Sequence, residues 1–129
     1  MRRQLLLFAL GYFWVAGLFG QQGLEEISKA LGAGNAPALA QYFHGSVDLT
    51  LVAKEGTYSK AQAEQIVQDF FNHHRPSQFQ VSYVGQGADG SRYVIGKLTT
   101  SRQPFRVYLL FKVLGGRELI QTLRFDVNE

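Results

Sequence analysis

The sequence predicts an α+β domain, and three observations carry that reading. Between residues 24 and 75 most apolar residues recur at helical spacing. From Pro76 onward the apolar period changes to two. The period-two runs are separated only by short turn signals at residues 87–90, Gln103-Pro104 and Gly115-Gly116. Helices first, then strands joined by tight turns, is the α+β pattern with an antiparallel meander.

Leu24, Ile27 and Leu31 mark the first helix, with Glu25 and Glu26 in its first turn where the helix dipole favours acids. Gly32, Gly34 and Asn35 end it. Pro37 opens a second, short helix with Leu39, Tyr42 and Phe43 on its apolar side, and Gly45 breaks the chain. Val47, Leu49 and Leu51 alternate with Asp48, Thr50 and Val52 as a strand. Glu55-Gly56 is expected in the loop that enters the third helix. That helix starts at Ser59, with Gln62 completing a capping box. Ala63, Ile66, Val67, Phe70 and Phe71 then form one stripe, and Pro76 forbids continuation beyond His73, His74 and Arg75.

Phe79, Val81 and Tyr83 share one face of the next strand; residues 91–100, 105–114 and 118–126 complete the meander. The 105–114 strand is unusual. Phe105, Val107, Leu109, Phe111 and Val113 point one way, and Tyr108, Leu110 and Leu114 the other, beside Arg106 and Lys112. A half-exposed antiparallel strand is ordinarily polar on its second face. The second apolar face needs a cover, and a second copy of the sheet, a homodimer, is the simplest one.

The chain has 129 residues, 46% of them hydrophobic and 18% charged, with no cysteine. That excludes a multidomain enzyme, a disordered chain, a disulfide framework and a thiolate metal site. Arg2 and Arg3 precede an apolar run of 15 residues, Leu5 to Phe19, with small residues Ala16, Gly17 and Gly20 at its end. The run is short for a bilayer span of about 20 residues and reads as a secretory signal peptide over 1–20, leaving one domain over 21–129. An uncleaved anchor, making a membrane-tethered assembly factor, is the alternative. Removing Arg2 and Arg3 from the 13 basic residues leaves 11 against 10 acidic ones, so no basic patch points to nucleic acid. An exported chain without cysteine suits a bacterial periplasm.

The stretches 34–43, 47–51, 58–71, 93–100, 104–112 and 115–125 resemble a family of small exported Bacteroidota proteins, domain-of-unknown-function family 4783, within the nuclear-transport-factor-2-like superfamily. The resemblance implies the superfamily's cone-shaped fold, three helices on a curved, mainly antiparallel sheet, together with export and dimerisation. It carries no activity.

Three constellations invite chemistry. Gly85, Gly87 and Gly90 spell G-x-G-x-x-G, but a strand follows where a dinucleotide site needs a helix, so the motif reads as a hairpin turn. His73 and His74 diverge by about 100° on their helix, with Asp69 on the face of His73, and read as a cationic helix cap, not zinc ligands. In the superfamily's cone, an acid with tyrosines could act as in ketosteroid isomerase. Asp48 is the weak candidate base, although Val47 and Leu49 facing inward would turn it outward. Tyr42, Tyr83, Tyr93, Tyr108 and Arg106 are the candidate ligand-binding residues, with Arg124 a second anion holder. No metal or cofactor is implied. The function read from these features is an exported, non-catalytic binding or scaffold module, dimeric through its sheet. Its ligand is a small apolar molecule in the cone, or its partner an envelope protein at the sheet. The alternative is a small proton-transfer or lyase-type enzyme with its site in the cone.

Overall fold

The computed structural model describes residues 23–128; the signal peptide expected over 1–20 lies outside them. Helix α1 is described over 23–33 and ends in a Schellman motif. Gly34, at φ +65°, donates its N–H to the Leu31 carbonyl (3.1 Å), and Asn35 donates to that of Ala30 (2.8 Å). The Asn35 side chain then caps α2 (Ala36–Ala40) by accepting from Ala38 N–H at 3.1 Å. Strand β1 (Phe43–Leu51) follows at once. Phe43 and Gly45 therefore belong to the sheet, not to a helix and a break. The pairing of β1 is irregular between Phe43 and Asp48, and Gly45 sits in that irregularity.

Residues 54–59 correct the expected loop: they form β2 (Lys54–Ser59), a hairpin partner of β1. Ser59 ends β2 and caps α3 (Lys60–His73), with both arms of the capping box formed to Gln62. Strands β3 (Pro76–Gln86), β4 (Arg92–Thr100), β5 (Phe105–Leu114) and β6 (Arg117–Val127) form the expected antiparallel meander. The sheet order is β2-β1-β6-β5-β4-β3, and β1 runs parallel to β6, closing a pairing the meander alone does not contain. Bulges at Ser82 in β3 and Gln121 in β6 bend the sheet.

The helices cover one face. Val47, Leu49, Val94, Leu98, Phe105, Val107, Leu109, Phe111, Ile120, Leu123 and Phe125 project from it and are buried. From α3, Ala63, Val67, Phe70 and Phe71 meet them. Phe70 is the hub. Its ring lies 4.7 Å from Phe125, 5.0 Å from Phe105 and 4.6 Å from His74, which stacks on it. Each buried phenylalanine stabilises by roughly 1.5–3 kcal/mol, and each such ring pair adds about 0.5–1.5 kcal/mol. At one end of this core Arg92 covers Phe111, its guanidinium 5.4 Å from the ring centre, held by a two-pronged ion pair to Glu118 (2.8 and 2.9 Å).

Gly96 is buried in the inner face of β4 because the Phe79 ring occupies its missing side chain: an added Cβ would lie 2.3 Å from Phe79 Cζ and 2.8 Å from the Gln80 carbonyl. Gly96→Ala should therefore lower stability by about 1–3 kcal/mol by overpacking. Phe79→Leu in the same chain should recover part of that loss. Urea unfolding of the unaltered chain and the two variants measures both effects, and an unchanged midpoint for Gly96→Ala would contradict this packing.

Candidate functional site

The outer sheet face is divided. Toward β3 it is aromatic: Tyr83, Tyr93 and Tyr108 follow one another across β3, β4 and β5. Their ring centres are 5.8 Å (Tyr83 to Tyr93) and 5.9 Å (Tyr93 to Tyr108) apart, the latter pair stacked at 30°. Ile95 and Leu110 flank them in register. Toward β2 the same face is polar, with Asp48, Thr57, Thr122, Arg124 and Asp126. The register explains the ladder. The Ser82 bulge puts Tyr83 opposite Ile95 and Gly85 opposite Tyr93. Gly85 leaves room for the Tyr93 ring, which comes within 2.5 Å of the Cβ any other residue would carry.

Three of the five candidate binding residues thus stand together, but on the outer face and not inside a cone. Arg106 lies beside them at the polar margin, opposite Lys97 and Asp126. Tyr42 is remote. It packs against the core in the turn before β1, and its carbonyl accepts the Ile120 N–H at 2.6 Å. Asp48 is exposed on the outer face, as the inward Val47 and Leu49 require, and accepts a hydrogen bond from the Thr57 hydroxyl at 2.8 Å. Arg124 is paired with Asp126 at 3.7 Å.

Hydrogen bonding with the Tyr83 side chain, desolvation, and the like-charge repulsion of Tyr83 and Tyr108 all raise the phenol of Tyr93 above the ordinary 10.0. The neutral phenol is thus the form the fold favours. Its contribution to stability is complete below the unfolded value and is lost as pH rises through the raised one.

Between α3 and the β1–β2 hairpin lies an open cleft of about 750 Å³. Leu49, Leu51, Ile66 and Phe70 line it with apolar surface; Lys54, Tyr58, Asp69, His73 and His74 supply polar groups. Of these, Lys54 and Tyr58 escape sequence reading because β2 carries no strand periodicity. His73 donates its Nδ1–H to the Asp69 carbonyl (2.8 Å) and His74 to that of Phe70 (3.2 Å), so both finish the helix end. Among the described residues no three His, Asp or Glu side chains gather as a metal site. None of the described helices is long and apolar enough to cross a membrane.

The G-x-G-x-x-G stretch forms the β3–β4 hairpin turn. Gly90 has φ +84°, and Gly87 N–H donates to the Ser91 carbonyl at 2.7 Å. Asp89 braces it, accepting from the Ser91 hydroxyl (2.6 Å) and N–H (3.1 Å), which holds its carboxyl below the usual range.

A family model described as "Domain of unknown function (DUF4783)" matches residues 24–126. The chain belongs to the DUF4783 family. A DUF4783 protein from Bacteroides uniformis ATCC 8492 shares 31% identity, with 81% of this chain and 96% of that one covered and a TM-score of 0.77. Two more distant structures show the fold alone. One is a domain from Nostoc punctiforme with a cystatin-like fold: 12% identity, 81% and 72% covered, TM-score 0.65. The other is the protein named Rd1NTF2_04 with long sheet: 14% identity, 81% and 97% covered, TM-score 0.65. No curated protein matches the chain. As a DUF4783 protein the chain has the nuclear-transport-factor-2-like architecture that its sequence resembles.

An alkaline titration followed by tyrosinate absorbance should show Tyr93 ionising later than an ordinary tyrosine. Tyr83→Phe, which removes the hydroxyl, should bring that transition down; an unmoved transition would contradict the coupling.

Proposed function

We propose that this DUF4783 protein is an exported, non-catalytic binding module, dimeric through its sheet, whose working surface is the aromatic half of the outer sheet face. The tyrosine ladder carries the reading. Tyrosines offer large, stiff, amphipathic contact area at small entropic cost, which is why they are enriched where proteins dock. Here three are aligned on a face that no described element covers, while the opposite face is packed by the protein's own phenylalanines. The partner suited to this surface is an envelope protein presenting an apolar patch with hydrogen-bonding edges.

The cleft beside α3 supports a second reading, a small amphipathic ligand resting on Leu49, Ile66 and Phe70 with its polar end toward Lys54 or His73. The proton-transfer alternative finds less support. Asp48, its candidate base, is bonded to Thr57 on the outer face, on the opposite side of the sheet from that cleft.

Site-specific photocrosslinking in cells that export the protein separates these readings. A photoreactive phenylalanine analogue at Tyr93 or Tyr108 should give a discrete protein adduct, and the same analogue at Gln65 in the cleft should not. Adducts only from Gln65 would overturn the outer-face reading.

A further inference from the structure

We propose that two copies of this chain pair along β3, antiparallel and about a two-fold axis, so that their sheets continue as one. This rests on the outer-face reading above and names a second copy as the first partner of the sheet.

The sheet has two edges, β2 and β3, and they differ. Strand β2 is six residues long and carries Lys54 and Glu55, the charged side chains by which native edges resist pairing. Strand β3 has eleven residues, PSQFQVSYVGQ, with no charge at all. Its blunting devices are Pro76 at the start and the bulges at Ser77 and Ser82. Helix α1 lies against its first half, where a Cβ at Gly32 would come 3.1 Å from the Phe79 nitrogen. Beyond that, Tyr83 and Val84 are 54% and 45% exposed.

Absence of charge favours a second copy as the occupant. In a two-fold antiparallel pair, residues at the axis face their own kind, so any charge there meets a like charge. An uncharged strand meets no such penalty anywhere along its length. The position of the ladder argues the same way. The aromatic half of the outer face ends at this edge with Tyr83, so pairing joins two ladders of three tyrosines across the seam. The two polar halves move to the far ends of the joined sheet. One broad aromatic surface replaces two small ones, and the exposed edge disappears.

The chain has no cysteine, so single cysteines report cleanly on this arrangement. The test uses the protein as purified from exporting cells, with Gln80→Cys, Ser82→Cys, Val84→Cys, Gln86→Cys and, at the centre of the outer face, Leu110→Cys. Mild oxidation should yield a covalent dimer from at least one of the four β3 positions and none from Leu110→Cys, because a disulfide needs Cα atoms within roughly 4.4–6.8 Å. Val84→Lys should weaken dimerisation at least about tenfold in sedimentation equilibrium by placing a charge in an otherwise uncharged seam, with thermal unfolding unchanged. A covalent dimer from Leu110→Cys alone, or a dimer untouched by Val84→Lys, would mean that the faces meet instead. That outcome overturns edge pairing and leaves the outer face as the working surface. A monomer at every concentration also overturns it, while adducts from Tyr93 would still uphold docking on the face.

Discussion

The structure depends on the seating of α3 against β5 and β6 through Phe70. That ring touches Phe105 and Phe125 from above and carries the stacked imidazole of His74 at the helix end. Phe71 reaches Phe125 beside it, at 6.2 Å. Aromatic side chains of this size fill the space between helix and sheet, and close packing there leaves the inner face little freedom to accept anything else. Among the described residues an open volume lies to the side, in the cleft between α3 and the β1–β2 hairpin.

That filling is why the proposed working surface lies on the other side of the sheet. A sheet with a solid inner face can recognise a partner only along its margin, at its outer face or at its edges. The outer face is itself uneven. Cross-strand register places the tyrosines, Ile95 and Leu110 in one half, and Asp48, Thr57, Arg124 and Asp126 in the other. The aromatic half runs out to the uncharged edge, and the polar half to the charged one. Face and edge therefore share one polarity, set by the bulge at Ser82 and by the space that Gly85 yields to Tyr93.

Much of the fold was legible because local signals agreed with the final packing. The stripe on α3, its capping box and the Gly-containing turns of the meander act over a few residues and are stated directly in sequence. The misreadings have physical causes. Strand β2 was invisible because KEGTYS has little apolar alternation and because its entry turn contains no glycine, proline or asparagine. Instead Val52 is held at φ +58°, a conformation that β-branched residues rarely adopt, while its N–H donates to the Phe125 carbonyl at 2.7 Å. Gly45 looked like a break because an irregularity within a strand and the end of a helix use the same residue. The parallel pairing of β1 with β6 joins distant parts of the chain, and no local pattern announces it.

The candidate site was legible in its residues and not in its place. Tyr83, Tyr93 and Tyr108 could be singled out by type, and the apolar second face of β5 could be seen in FRVYLLFKVL. Their alignment required the register of three strands and one bulge, which is non-local information. Asp48 was the reverse case: its outward direction follows from Val47 and Leu49 alone, and the structure places it there.

The reading proposed for this protein has two parts, an inner face filled by the protein's own side chains and association through the sheet. Native mass spectrometry of the protein purified from expressing cells tests both parts in one spectrum. A dimer whose mass is that of two chains with nothing added is expected. A monomer carrying a small molecule would contradict it, placing the functional site among the helices.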